Sequence, residues 1–199
     1  MISSAFLLGL ALLLATPGPT NTLLALAGAT QPRDGTVRFL LPRLLLAELT
    51  GYLAAVLLLG ALMRAVGDGI EAIRPALQAA AALYLALAAM RMWRARGEVA
   101  AGAAVAPAQI LATTLLNPKT LIIALVLMPA GWSGQGAVAA THLAAMALMI
   151  PLAGGAWFLG GRGLAKAAGS RLRRAIPRAS AVLLGLFAMV LAGRALAGW

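Results

Sequence analysis

Apolar residues run along this chain in long blocks, with most polar residues gathered between them. A helix needs about 20 consecutive apolar residues to cross a bilayer. Six such blocks occur, at roughly 3–30, 39–63, 70–92, 107–130, 135–161 and 178–198. The pattern predicts an all-α integral membrane protein with six transmembrane helices. The connections are too short to hold a separate soluble domain, so residues 1–199 read as a single membrane domain. A Gly/Ala-rich linker over 95–106 divides it into two halves, 1–96 and 107–199, with three crossings each. An odd number of crossings turns the second half upside down relative to the first, which predicts two inverted three-helix repeats. Leu7 to Ala15 would also pass as a signal-peptide core. No basic residue precedes it, however, and Pro17 sits beside the only cleavage point, so a retained crossing is expected.

Two blocks are interrupted. Thr16-Pro17-Gly18-Pro19-Thr20-Asn21-Thr22 breaks the first, and Thr113-Thr114-Leu115-Leu116-Asn117-Pro118-Lys119-Thr120 breaks the fourth. Prolines remove backbone donors, and a membrane tolerates the resulting gap only where protein covers it or a cavity solvates it. Helices 1 and 4 are therefore expected to be broken at these proline motifs and to meet at one site, as broken helices in matching positions of two repeats do. Each break also carries a helix start: Thr16 or Gly18 as cap ahead of a proline, and Asn117 as cap ahead of Pro118. Free N–H groups at two half-helix starts, with Lys119 beside them, suit an anionic group such as a carboxylate. The expected substrate-binding set is Thr16, Pro17, Gly18, Pro19, Thr20, Asn21, Asn117, Pro118, Lys119 and Thr120, with further hydroxyls from Thr22, Thr113 and Thr114. An amino acid's ammonium would pair with Glu48 or with carbonyls exposed at the breaks.

Glu48 is the only acid away from the ends of the six blocks, Glu71 standing at the edge of the third, and His142 is the only histidine in the chain. Ionisable groups at membrane depth carry function by default, so Glu48 and His142 are the candidates for ion coupling. Blander readings stand beside these: Glu48 paired with Arg43 or Lys119, Lys119 snorkelling to the inner surface, and His142 as a hydrogen-bonded packing residue. Pro151, Gly154 and Gly155 are expected to bend the fifth crossing or let it pack closely, and Trp157 to mark the inner interface. Ala181, Gly185, Ala188 and Ala192 have spacings that suit helix packing in the sixth.

Composition sharpens the picture. The chain is 62% hydrophobic and 11% charged, with a mean hydropathy of +0.94 and a net charge of +11. The basic residues lie in connections rather than on a foldable face, which excludes nucleic-acid binding as the reason for them. Alternate connections collect Arg33, Arg38, Arg43, Arg91, Arg94, Arg96, Arg162, Lys166, Arg171, Arg173, Arg174 and Arg178 on one side. The positive-inside rule makes that side cytoplasmic and both termini external. The 161–177 connection reads as a topology determinant ahead of an anionic-lipid site. There is no cysteine, which excludes thiol redox chemistry and thiolate metal ligation. One histidine and one intramembrane acid do not make a metal site, and no nucleophile, base and acid set points to an enzyme. No cofactor is expected.

Thr16-Pro17-Gly18-Pro19 with Thr20-Asn21-Thr22, then Leu116-Asn117-Pro118-Lys119-Thr120 and the later Pro129, resemble the motifs of the LysE/RhtB amino-acid exporter family. The likeness extends over the whole chain in length, number of crossings and motif position. It departs at Pro42-Arg43-Leu44-Leu45-Leu46-Ala47-Glu48, where family members have a glycine-rich start to the second crossing. The resemblance implies a bacterial inner-membrane exporter of amino acids or related metabolites, driven by an ion gradient and forming a homodimer. Its partners would be a small-molecule substrate and the lipid bilayer. Two other classes stay open at this point: a non-transporting assembly or scaffold subunit, and an exporter of another small solute or ion.

Overall fold

The computed structural model describes residues 2–30, 37–66, 70–94, 105–129 and 131–167, and between 178 and 196 residues 178, 181–182, 185–186, 188–189, 192–193 and 196. Among these, every regular element is helical. Helix α1 spans Ser4–Ala15 and α2 Pro19–Thr30, the two meeting at a 52° bend. Helix α3 covers Val37–Val66 and α4 Ile70–Arg94. Then come α5, Pro107–Leu115, and α6, Pro118–Ile122, which runs into a π-helical turn over Ile123–Leu127. A 3-10 turn at Trp132–Gly134, entered through Gly131 in the left-handed region, leads into α7, Gly136–Ala167.

Each break lies where the prolines dictate. Pro17 and Pro19 have no N–H to continue α1, so it stops at Thr16, and α2 opens with the Gly18 carbonyl accepting from Thr22 N at 2.8 Å. Pro118 likewise ends the fourth apolar block's first helix and begins its second. Pro42 and Pro151, by contrast, are carried inside α3 and α7 without ending them. Arg38–Ala65 and Gly136–Lys166 are long and apolar enough to cross a membrane, and the bent pair α1–α2 makes up to three such crossings. The turn at 31–35, the linker over 95–104, the basic stretch 168–177 and most of the sixth block lie outside the described residues.

Two apolar layers enclose a polar belt. One layer holds Phe6, Leu10 and Leu14 of α1 with Tyr52, Val56, Ile123, Trp132, Met146 and Ile150. The other holds Leu23, Leu24 and Leu26 of α2 with Leu44, Leu85, Ile110 and Phe158. Every helix that joins both layers changes over at the same level. On α3, Glu48 lies between Leu44 and Tyr52; on α7, Gly154 lies between Ile150 and Phe158. The two breaks fall between Leu14 and Leu23, and between Ile110 and Ile123. In that belt Thr20, Asn21, Glu48, Thr113, Thr114, Asn117, Lys119 and Thr120 are all buried.

Bare backbone sets the closest helix crossings. A Cβ on Gly28 of α2 would overlap the Phe158 carbonyl, and one on Gly161 of α7 would overlap the Ala25 carbonyl. Two glycines facing each other's backbones thus let α2 and α7 touch, as small residues do between membrane helices. On α3, Gly51 presses on Thr114 and the Leu111 carbonyl of α5.

Candidate functional site

Breaking a helix orphans the carbonyls that the missing N–H groups would have served, and each left unpaired in an apolar layer costs about 1–3 kcal/mol. At the first break side chains take over almost one for one. Leu12 O keeps its ordinary partner, Thr16 N, at 3.0 Å. Leu13 O, deprived by Pro17, accepts from Thr16 Oγ1 at 2.8 Å. Leu14 O accepts from Asn21 Nδ2 at 2.8 Å and from Trp157 Nε1 of α7 at 3.1 Å. Thr16 O accepts from the same Asn21 amide at 2.9 Å and from the ammonium of Lys119. One asparagine and one lysine therefore complete the open end of α1.

The second break follows the same rule. Pro118 leaves Thr114 O without its helical partner, and Asn117 N and Thr120 Oγ1 donate to it, both at 3.1 Å. Asn117 is extended (φ −76°, ψ 127°), and its Oδ1 accepts from Lys119 N at 3.0 Å, a side-chain N-cap. Thr120 N donates to Asn117 O at 3.0 Å.

A single hydrogen-bonded line joins the breaks. Asn117 Oδ1 faces the Lys119 amide, so its Nδ2 is the donor to Thr20 Oγ1 at 3.0 Å, with the Tyr52 hydroxyl 3.5 Å away. Thr114 uses its only hydroxyl proton on Ile110 O at 2.8 Å, so Thr20 must be the donor in the 3.1 Å contact between the two threonines. Polarity thus runs from Asn117 through Thr20 and Thr114 to Ile110. Tyr84 extends the belt to α4 through a 2.9 Å contact with Thr113 Oγ1.

No family model, curated protein or solved structure matches this chain.

What the belt can do rests on its two charges. Lys119 is 5% exposed, so it is held inside the protein and does not snorkel. Glu48 is 1% exposed, and neither of its carboxyl oxygens has a hydrogen-bond partner. It lies against Gly154, with its Oε2 where a Cβ on that residue would be. Lys119 and Glu48 share the belt without a hydrogen bond between them. The blander pairing of Glu48 with Arg43 also fails, since Arg43 is exposed.

Thr20, Asn21, Asn117, Lys119 and Thr120 come together as the sequence suggests, with Gly18 packed on the Lys119 side chain. Three expectations need correcting. Thr16 is the C-cap of α1 and, like Pro17, is exposed, so of the two candidate caps it is Gly18 that stands ahead of Pro19, the first residue of α2. The start of α6 has no free donor in its first turn: Pro118 has no N–H, and the amides of Lys119 and Thr120 are both bonded to Asn117. His142 is twelve residues from Gly154 on α7, about 18 Å of helix, and so is remote from Glu48. Its Nδ1 donates to Val138 O at 2.8 Å, its ring meets Phe6 edge-on at 4.6 Å, and its Nε2 has no partner.

Tyr52, Trp157 and Gly154 are site residues that sequence reasoning passed over. The spacing of Glu48 and Tyr52 by four places both on one face of α3 and was a usable signal. Trp157 reads as an interface marker until its indole N–H is found on Leu14 O. An apolar groove of about 760 Å³ between α4 and residues 182–196 has no polar side chain in its lining and belongs to no part of the belt. Among the described residues no group of three or more histidines and acids is placed to hold a metal.

Proposed function

We propose that this protein is a secondary transporter that exports amino acids or related small carboxylates across the bacterial inner membrane by alternating access, in the manner of the LysE/RhtB exporters its motifs resemble. The observation that carries this reading is the contact between the breaks, in which the buried ammonium of Lys119 rests on the carbonyl of Thr16. A neutral carbonyl is a weaker acceptor for an ammonium than a carboxylate, so the cargo's carboxylate would take over Lys119. Glu48, buried without a partner, would receive the cargo's ammonium. The anion site is thus assigned to Lys119 in place of the half-helix starts.

In this reading the chain crosses the membrane six times as two inverted repeats, 1–96 and 107–199. Both termini are external and two copies associate. Rocking one repeat against the other separates the breaks and exposes the belt to each side in turn. Overexpression in cells loaded with dipeptides should raise the appearance of one or a few amino acids outside. Export no different from vector-only cells across the full set of amino acids would overturn the reading.

A second reading has one observation in its favour: the breaks use their polar groups on each other, as the joints of a static scaffold subunit would. A scaffold copurifies with a fixed partner and keeps it when Lys119 is replaced by methionine. The exporter loses transport with that change and purifies without a partner.

A further inference from the structure

A carboxyl and an ammonium buried in one belt would be expected to rest as a direct ion pair. They do not form one. Lys119 bonds Thr16 O, and both oxygens of Glu48 are unpartnered. Each charged side chain lies against a glycine. A Cβ on Gly18 would meet Lys119 Cε at 2.7 Å and Nζ at 3.0 Å, and a Cβ on Gly154 would overlap Glu48 Oε2. The neighbouring Gly155 has only Leu45 Cδ1 near it, at 4.0 Å, so at this level of α7 the glycine requirement falls on 154 and not on 155.

We propose that Gly154 is a positioning residue: the bare backbone of α7 at 154 is the recess that holds the Glu48 carboxyl away from Lys119, keeping both charges free for a zwitterionic ligand. A methyl group there displaces the carboxyl from α7, and the cation buried in the same belt to compensate it is the ammonium of Lys119. An internal ion pair then competes with the ligand. The separation of the charges stands on the geometry alone; its service to cargo rests on the exporter reading above.

Two measurements on the full chain test this. The first is a thermal double-mutant cycle in detergent, with Glu48→Gln, Lys119→Met and the double variant, run in the natural chain and in Gly154→Ala. In the natural chain the shifts in midpoint should add to within about 1 °C, as for unpaired groups. In Gly154→Ala they should depart from additivity by at least about 3 °C. The second measurement is efflux kinetics. Gly154→Ala should raise half-saturation at least tenfold with little change in maximal rate. Adding Glu48→Asp, which draws the carboxyl back by one methylene, should restore it, and Gly160→Ala, which meets nothing within 4 Å, serves as the control.

Unchanged coupling in Gly154→Ala overturns the proposal, as does a loss that Glu48→Asp does not rescue while Gly160→Ala behaves normally. Increased coupling in a protein that exports no amino acid keeps the positioning role and removes the exporter reading. If Gly154→Ala alone fails to accumulate, recovery of accumulation on adding Glu48→Asp supports the recess, and no recovery overturns it.

Discussion

The ammonium of Lys119, on the second helix break, donates to the backbone carbonyl of Thr16, on the first. A residue 103 positions further along the chain thus serves the open end of α1, and the contact is the only charged one across the belt that the described residues make. Lys119→Met should reduce export roughly 100-fold while leaving membrane insertion intact, the scale set by removing one member of a buried charged contact. Gly18→Ala should also insert normally but lose part of the activity, because its methyl displaces only the flexible end of Lys119. Efflux normalised to protein in the membrane checks both variants. Normal export by a well-inserted Lys119→Met protein would remove Lys119 from the mechanism.

Leu14 O has two donors, Asn21 Nδ2 and Trp157 Nε1. Trp157→Phe leaves it with one, as Asn21→Leu does, and each loss should cost about 1 kcal/mol of stability. Together they leave the carbonyl without either donor in an apolar layer, so the double variant should lose more than the sum, by about 1–2 kcal/mol. Thermal midpoints in detergent for the two single variants and the double one read the coupling directly. Simple additivity would mean that water or another group replaces these donors.

Gly28 and Gly161 meet backbone, which cannot swing aside as a side chain can. Alanine at either should force α2 from α7 and destabilise by about 1–3 kcal/mol, the usual cost of overpacking. The same change at the exposed Gly160 should be near neutral. The amount of monodisperse protein surviving a heat step ranks the three.

Much of this was legible in the sequence because proline acts locally. Pro17 and Pro19 with Gly18 between them, and Pro118 behind the capping Asn117, mark the breaks, where the lone Pro42 and Pro151 leave α3 and α7 continuous. The pairing of the breaks followed from their matching place in the two halves. What the groups bond to did not, because that depends on helices distant in the chain. Asn21 reads equally well as a ligand residue or as a substitute for missing amides, and only the position of Leu14 O and Thr16 O decides. Gly154 is unremarkable beside Gly155 until Glu48 is found lying on one and not the other. His142 illustrates the opposite limit. Its chemistry drew attention, but helical rise along α7 carries it into the apolar layer with Phe6.

That distance separates the two candidates for ion coupling. Glu48→Gln should alter the pH dependence of export, whereas His142→Ala should leave it unchanged within error and lower only stability through the lost Phe6 contact. Efflux measured from pH 6 to 8 in everted vesicles distinguishes them. A pH profile changed by His142→Ala alone would move coupling to the layer that holds Phe6 and Trp132.

The central claim is that the two breaks meet and must part for cargo to pass. The chain has no cysteine, so paired cysteines can be placed without background. Thr20 and Thr114 touch through their hydroxyls at 3.1 Å, which puts Thr20→Cys and Thr114→Cys within reach of a disulfide. Oxidation of the double variant should cross-link it, stop amino-acid efflux, and allow efflux to return on reduction, while oxidation leaves the efflux of each single variant as it was before treatment. Failure to cross-link, or undiminished efflux from the fully cross-linked protein, would contradict the account.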